Sequence, residues 1–475
     1  MLLKNMVRSP KFFVVFSVII LFLGYSQNFW KATDYQKYYD NYYTFMRDFD
    51  IPEFQSFSEI YSTFDRFSES FVIGRIVKSK KDGLFSSGGF VGRYYDIPSP
   101  PSDINGQFFS HGYQYKIFFD EFLTQKVRLF GTIYKSQSGG QAFVLGLLDK
   151  VMPGTGSFKI KIYYRLMALL TALATVLIIL WFYKEFGILT GWLLVFCFAL
   201  FNYPTLYAKN LWWVPWAFYI PFLLILYTLR KEDRSNGKLS YRLLFLLSFL
   251  GMFIKIFLNG FEFITTTVVM VAIPLFYYAV KNRWGLTKLF YRLVAIGGGV
   301  ALSIIISFVL LSLQFVLAGD NFIDGLLHIY NSFIARTHGT GAYTNWLVEE
   351  SANAPIYEVA IYYFLHPPIF DFSAMGLNLV IKIKYFLGLV LGISILWFIL
   401  DRKLKCTERL RKINALNVTL WISLLAPLSW FVIFKGHSYV HKQHDPIVWF
   451  MPFMFYAIGM LGITIQELIV TLRKK

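Results

Sequence analysis

Long apolar runs bounded by charged residues set the pattern of this chain. A helix needs about 20 mostly apolar residues to cross the hydrocarbon core of a bilayer, and ten runs come near that length. We expect a transmembrane helix at residues 12–31, 163–182, 187–205, 211–229, 241–258, 262–280, 293–317, 376–400, 415–434 and 446–470. The pattern therefore predicts an all-α polytopic membrane protein with about ten transmembrane helices in one integral-membrane domain, residues 1–475.

Two long polar segments, residues 32–162 and 318–375, separate these runs. They divide the predicted transmembrane helices into three groups: the first helix alone, helices 2–7 within residues 163–317, and helices 8–10 within residues 376–470. The first segment lacks the apolar–polar alternation that is typical of strands. We therefore expect a long first outer loop of membrane-parallel helices and a second long outer loop.

The distribution of charge predicts the orientation of the chain. Its 475 residues are 56% hydrophobic, and the net charge is +18. Basic residues concentrate in alternate connections, at 230–242, 281–292 and 401–412. By the positive-inside rule these connections and both termini are cytoplasmic, and the two long polar segments lie outside. The excess charge then contacts membrane lipids, and we expect no nucleic-acid partner because no basic soluble domain remains.

The first apolar run argues against a cleaved signal peptide, and the two cysteines argue against disulfide bonds on the predicted outer face. Residues 12–31 follow several basic residues, as in a signal peptide. The run is long and lacks a small-residue cleavage site, so we expect a retained anchor. Cys197 lies in a run and Cys406 in a basic connection, which leaves the predicted outer face without a thiol. A disulfide framework or a cysteine-type zinc site is therefore not expected there.

Ionisable residues gather on the predicted outer side. All seven histidines map to it or to its interface, namely His111, His328, His338, His366, His437, His441 and His444. Lys255 and Glu262 flank a helix break at Asn259-Gly260, close to the same boundary. Ionisable residues at that depth usually face a cavity or each other. We expect this pair to line a functional cavity, with a structural ion pair as the alternative.

The last three histidines lie in the stretch KGHSYVHKQHDPIVWF, between the last two runs. Because His437, His441 and His444 have the i, i+4, i+7 spacing of one helix face, a zinc site is one interpretation. However, Gly436 and Pro446 lie in the same stretch, and its lysines would repel a cation. We favour binding of a lipid phosphate or a sugar, and an interfacial loop without a special role is a further alternative. We assign no cofactor, and a divalent metal is the less favoured option.

Four segments and the order of the runs resemble one superfamily. The segments are YKSQSGGQ, KNLWWVPW, NGFEFI and KGHSYVHKQHDPIVWF, and Asp34 closely follows the anchor. Together they resemble poorly characterised bacterial members of the GT-C superfamily of integral-membrane glycosyltransferases. The resemblance implies transfer of a sugar from a polyprenyl-phosphate donor to a glycan, lipid or protein acceptor of the cell envelope, on the outer face of the bacterial cytoplasmic membrane.

The resemblance also implies a general base from the first outer loop, and Asp34 matches best. Many members have two adjacent acidic residues where this chain has Thr33-Asp34-Tyr35, so Asp40 and Glu262 are alternatives. A base must reach the attacking hydroxyl, and the leaving lipid phosphate needs cations already in place. The candidate cations are Lys209, Lys255, Arg336, His338, Lys435, His437 and His441.

Two other functions stay open at this point. A polysaccharide polymerase or ligase also uses outer cations on polyprenyl-linked glycans, although this outer face is rich in Lys, His and Tyr rather than in paired arginine-rich loops. A transporter or flippase is favoured by inverted repeats and paired broken helices. The sequence shows no convincing internal repeat, and its polar residues gather at one face, so we rank the transferase first.

Overall fold

The computed structural model describes residues 9–29, 64–95, 114–115, 117–120, 124, 130–235, 239–337, 346–403 and 407–473. The helices before the second polar segment are α1 Pro10–Gln27, α2 Arg66–Asp82, α3 Gly140–Val151, α4 Gly156–Phe186, α5 Ile188–Leu200, α6 Asn202–Tyr207, α7 Pro215–Ser235, α8 Tyr241–Asn259, α9 Ile264–Lys281 and α10 Leu286–Leu317. Those that follow are α11 Phe322–Arg336, α12 Trp346–Asn353, α13 Ile356–Leu365, α14 Ile383–Lys403, α15 Glu408–Ser423, α16 Leu425–Ile433, α17 Lys435–Val440 and α18 Phe453–Leu472. Short strands pair as β1 Val91–Tyr95 with β2 Phe130–Tyr134, and as β3 Pro368–Asp371 with β4 Val380–Lys382.

The fold is that of an α-helical integral membrane protein. Within the described residues, eight helices are long and apolar enough to cross a membrane by length and composition: α1, α4, α8, α9, α10, most of α14, α15 together with α16, and α18. They match eight of the ten predicted runs. The all-α polytopic class is therefore confirmed, and the count of ten is not.

The two remaining runs fall short for different reasons. The run at 187–205 forms α5, which has only 13 residues and ends at Leu200. At a rise of about 1.5 Å per residue it is about 20 Å long, less than the hydrocarbon thickness of about 30 Å. The run at 211–229 forms α7, which contains Pro221. This helix ends in the charged residues of RKEDRS, so its apolar part is too short to meet the criterion for a membrane-crossing helix.

The first polar segment contains strands, which the sequence prediction of helices and loops did not include. Antiparallel pairing joins β1 to β2 from Val91 opposite Tyr134 to Tyr95 opposite Phe130. All five residues of β1 are buried, so both faces are covered and the sequence shows no alternation. Helix α2 packs on β1, and the Arg93 guanidinium stacks over the Phe71 ring. The segment also ends earlier than residue 162, because α4 begins at Gly156.

The helix bundle has two polar ends. At one end, which we call the basic end, Lys281 pairs with Glu185 at 3.2 Å and Arg409 pairs with Glu467 at 2.8 Å. At the opposite end, which we call the histidine end, Glu262 follows α8 and His437 follows α16. Between the ends, α8 packs along α10 and α7, and α9 packs on α15. The positive-inside pattern predicts that the basic end is cytoplasmic.

Candidate functional site

The turn between α8 and α9 presents Glu262 to the histidine end. Lys255 is completely buried, and its Nζ donates to the carbonyl oxygens of Gly260, at 3.0 Å, and of Glu262. Gly260 has φ of +61°, a backbone conformation that glycine adopts without steric cost. Lys255 therefore holds the turn through its backbone, and the Glu262 carboxylate remains available to other groups.

Arg336, the last residue of α11, is the cation nearest the Glu262 carboxylate. Its Nη2 lies 3.4 Å from Glu262 Oε1 and donates a hydrogen bond to the Tyr134 hydroxyl at 2.7 Å. The Glu262 side chain is 8% exposed and the Arg336 side chain 20%. The pair thus joins α11 to the α8–α9 turn and to strand β2, with one side of the guanidinium still accessible.

His437 lies between two carboxylates. Its Nε2 is 3.7 Å from Glu262 Oε2, and its Nδ1 is 3.2 Å from Asp445 Oδ2. The same Asp445 oxygen accepts a hydrogen bond from Trp430 Nε1 at 2.6 Å. Asp445 is completely buried, and its Oδ1 has no hydrogen-bond partner within the described part of the chain. Asp445 therefore orients the imidazole, and the imidazole faces Glu262.

His441 and His444 extend the cluster toward the first polar segment. The His441 ring lies 4.4 Å from that of His437 and 5.7 Å from that of His444. Burial lowers the pKa of His441 well below its usual range, and the electrostatic effect of the neighbouring His437, His444 and Arg336 adds to this decrease. His441 is therefore neutral near pH 7. The three histidines do not share one helix face, because α17 ends at Val440.

Asp65 is a functional candidate that the sequence did not reveal. It caps the N-terminus of α2, where Oδ1 accepts from the Ser68 backbone N–H at 3.1 Å. Its Oδ2 accepts from Trp213 Nε1 at 2.7 Å, and the Trp213 ring lies 5.9 Å from that of His444. Burial raises the pKa of Asp65 to about 6, and the Glu262 charge adds to this increase.

We call Asp65, Glu262, Arg336, His437, His441, His444 and Asp445 the outer cluster, after the side of the membrane on which the positive-inside pattern predicts it. Among the described residues, no three His, Cys, Asp or Glu side chains are arranged to hold a metal ion. Asp34, Asp40 and His338 lie outside the described residues, so their predicted roles stay predictions.

The predicted cations Lys435 and Lys209 both donate hydrogen bonds to backbone carbonyl oxygens. Lys435 Nζ donates to the carbonyl oxygens of Ala352, at 2.8 Å, and Ala354, at 2.9 Å, at the end of α12. Lys209 is buried, and its Nζ donates to the Ser26 carbonyl oxygen at 3.4 Å. Burial lowers the pKa of Lys209 to about 8. These contacts connect separate segments of the chain at the histidine end.

Glu69 forms a second buried carboxylate site within the first polar segment. It accepts hydrogen bonds from the hydroxyls of Tyr115, at 2.6 Å, and Tyr164, and from the Leu211 backbone N–H at 2.9 Å. Burial raises the pKa of Glu69. Its two oxygens thus accept hydrogen bonds from donors on three segments of the chain.

A cavity of about 640 Å³ adjoins the outer cluster. Side chains of α9, α10, α11 and α16 line it, and most of them are apolar, including Val268, Ile304 and Phe308. Its polar lining consists of Ser136, Thr265, His328, Tyr330, Ser332, Arg336 and Ser429. Arg336 therefore lies both on the wall of this cavity and in the outer cluster.

His328 forms a second polar contact point on the cavity wall. Its Nε2 lies 2.9 Å from the Ser136 hydroxyl, which is 3.4 Å from the Ser332 hydroxyl. Burial and the positive charges of Arg336 and Lys135 lower the pKa of His328. These groups can donate hydrogen bonds to an anion that Arg336 also contacts.

Comparison with known proteins assigns no family to this arrangement. No family model, no curated protein and no solved structure matches the chain.

Proposed function

We propose that this protein is a membrane glycosyltransferase that moves a sugar from a polyprenyl-phosphate donor to an acceptor of the cell envelope. The observation that carries the proposal is the position of Arg336, between an apolar cavity of about 640 Å³ and the carboxylates and imidazoles of the outer cluster. A substrate with a long apolar chain and an anionic head requires this combination. The reaction class comes from the GT-C resemblance.

In this proposal the cavity receives the first isoprene units of the donor. Its apolar walls on α9 and α10 belong to two of the membrane-crossing helices. The phosphate lies against Arg336, whose planar guanidinium suits bidentate contact with phosphate oxygens. His328 and Ser332 lie on the same wall and donate further hydrogen bonds. The sugar then extends toward Glu262 and His437.

The transfer step needs a base and a stabilised leaving group. The acceptor hydroxyl attacks the anomeric carbon and forms the new C–O bond, while the bond from that carbon to the phosphate oxygen breaks. The hydroxyl proton passes to a carboxylate, and the polyprenyl phosphate leaves with the bonding electrons. Arg336 stabilises the charge that develops on the phosphate.

Two described carboxylates suit the role of base. Asp65 belongs to the first polar segment, where the resemblance expects the base, and its pKa of about 6 leaves it ionised but basic near pH 7. Glu262 lies closer to Arg336 and His437, at 3.4 and 3.7 Å. We favour Asp65 as the base and Glu262 as the group that positions Arg336. Asp34 and Asp40 stay alternatives.

The test combines cellular and purified measurements. Mass spectrometry should compare envelope glycans and polyprenyl-phosphate sugars in cells with the protein, without it, and with Arg336→Gln. We expect the donor to accumulate and one glycan to disappear without the protein and with Arg336→Gln. Arg409→Gln, which removes an arginine from an ion pair at the basic end, is the matched control and should behave like the natural chain.

Two results would overturn the proposal. Unchanged glycans and unchanged lipid-linked sugars would remove the transferase function, and an altered solute flux in the same cells would favour a transporter. Because Arg336→Gln could unfold the protein, its thermal unfolding temperature in detergent should be measured, with Arg336→Lys as a charge-preserving variant. A folded Arg336→Gln protein with full transfer activity would contradict the role of Arg336.

A further inference from the structure

A different cavity, which is polar and has a volume of about 350 Å³, lies at the basic end between the last turns of α4 and α7. We call it the basic pocket, and its lining residues are Lys184, Tyr227, Arg230, Lys231, Arg234 and Ser235. Four of these six side chains are cationic and none is acidic. The pocket lies at the end of the bundle opposite the outer cluster, so the proposed transfer reaction does not use it.

Arg230 is the most unusual group in the basic pocket. The residue is only 3% exposed, and its Nη1 and Nη2 have no hydrogen-bond partner within the described part of the chain. Its Nε lies 3.9 Å from Glu185 Oε1, which is too far for a hydrogen bond. A buried guanidinium without partners is costly, because its five N–H donors lose hydration. A ligand with oxygen acceptors would satisfy them.

The nearby carboxylates do not neutralise the positive charge of the pocket, because they form ion pairs with cations outside it. Glu232 binds both Nη atoms of Arg292, at 2.8 and 2.5 Å. Asp233 pairs with Lys281 at 2.7 Å, and Glu185 pairs with the same lysine at 3.2 Å. Lys184, Lys231 and Arg234 are exposed and make no ion pair with any described residue. The pocket therefore keeps an uncompensated positive charge.

We propose that the basic pocket binds a phosphate-bearing anion, with the headgroup of an anionic phospholipid as its main occupant. The planar guanidinium of Arg230 suits two oxygens of one phosphate, and the three exposed cations surround the rest of the headgroup. The pocket lies at the ends of α4 and α7, where the positive-inside pattern predicts the cytoplasmic leaflet. Basic pockets between helices on that side suit anionic headgroups. The inference does not depend on the proposed transferase function.

The experiment measures lipid binding by the purified full-length protein. Native mass spectrometry should compare dioleoyl phosphatidylglycerol with dioleoyl phosphatidylcholine, for the natural chain and for Lys231→Gln/Arg234→Gln. Both changed residues are exposed, so the fold should tolerate them. The matched control Lys288→Gln/Arg473→Gln removes the same charge from exposed positions outside the pocket. We expect about tenfold weaker phosphatidylglycerol binding for the pocket variant and unchanged binding for the control.

Soluble pyrophosphate distinguishes the two sources of phosphate. Pyrophosphate could bind the natural chain as tightly as the lipid does and lose this binding in the pocket variant alone. That result would support the phosphate site and assign it to a soluble anion. Equal binding of both phospholipids by the natural chain, or equal loss in both double variants, would overturn the site.

Arg230→Met tests the unpartnered guanidinium directly. Because the variant removes a buried charge that lacks partners, we expect the lipid-free protein to unfold at the same temperature or a higher one. We also expect phosphatidylglycerol to lose its stabilising effect on this variant. A lower unfolding temperature without lipid, combined with unchanged stabilisation by lipid, would show that Arg230 is a structural partner of Glu185 and would refute its ligand role.

Discussion

The ion pair between Arg336 and Glu262 allows a quantitative test of the outer cluster. We consider Arg336→Met, Glu262→Gln and the double variant. In Arg336→Met the Glu262 carboxylate, whose side chain is 8% exposed, loses its ion pair and keeps the His437 imidazole at 3.7 Å. In Glu262→Gln the guanidinium keeps its hydrogen bond to Tyr134. We therefore expect Arg336→Met to be the more destabilising single change.

The magnitude follows from the distance and the burial of the pair. Two unit charges about 4 Å apart attract by about 4 kcal/mol at an effective dielectric constant of about 20. The Arg336 side chain is 20% exposed, so solvent screens part of this attraction. We expect a coupling free energy of about 2 kcal/mol and a loss of about 3 kcal/mol for Arg336→Met, at the low end for breaking a buried pair.

The assay is a double-mutant cycle on the unfolding midpoint in mixed detergent micelles. Arg409 and Glu467 form a matched pair of the same residue types, at a shorter distance of 2.8 Å but with side chains 33% and 31% exposed. Their coupling should stay below about 1 kcal/mol, because solvent screens an exposed pair. A coupling for Arg409 and Glu467 equal to or larger than that for Arg336 and Glu262 would refute the reasoning that burial outweighs distance.

Three further predictions concern other residues. Because the folded-state pKa of Asp65 is raised from 3.8 to about 6, the folded state loses stability as the pH rises through that window. Over this window the natural chain should lose about 3 kcal/mol of unfolding free energy relative to Asp65→Asn, as measured by unfolding at a series of pH values. The transfer rate, measured over the same pH range, should instead increase with pH if Asp65 is the base. Gly140→Ala should lower the unfolding temperature by several degrees, since a Cβ would overlap the Phe257 carbonyl oxygen, whereas Gly297→Ala meets open space and should not. Lys435→Gln should lower stability by about 1–3 kcal/mol without changing the donor KM, because Lys435 binds carbonyl oxygens.

Long membrane-crossing helices could be predicted from the sequence because one run of about 20 apolar residues is enough to specify each of them. The sequence-based predictions differ from the structure where the secondary structure depends on tertiary packing. Helix α5 ends at Leu200 although the apolar run continues, since Phe201 is extended and a new short helix starts at Asn202. Strand β1 is buried on both faces, so its sequence lacks the alternation that reveals half-buried strands.

The residues of the outer cluster were only partly predictable. Glu262, Arg336 and His437 are ionisable residues beside apolar runs, and this signal selected them as candidates before the structure placed them together. The same signal also selected Lys255, whose ammonium binds backbone carbonyl oxygens. A sequence does not show whether a lysine faces a cavity or a carbonyl group. Asp65 depends on a tertiary hydrogen bond from Trp213, 148 residues away, which no local pattern records.

In the proposed reaction, the charge balance of the outer cluster couples binding of the phosphate to protonation of its histidines. The cluster contains three carboxylates, and Arg336 alone among its members carries a permanent positive charge. His441 is neutral without substrate, since burial, with Arg336 nearby, lowers its pKa. The donor is a phosphodiester with one negative charge, and this charge beside Arg336 would favour imidazolium. Binding of the donor should therefore draw a proton into the cluster, and departure of the lipid phosphate should release it.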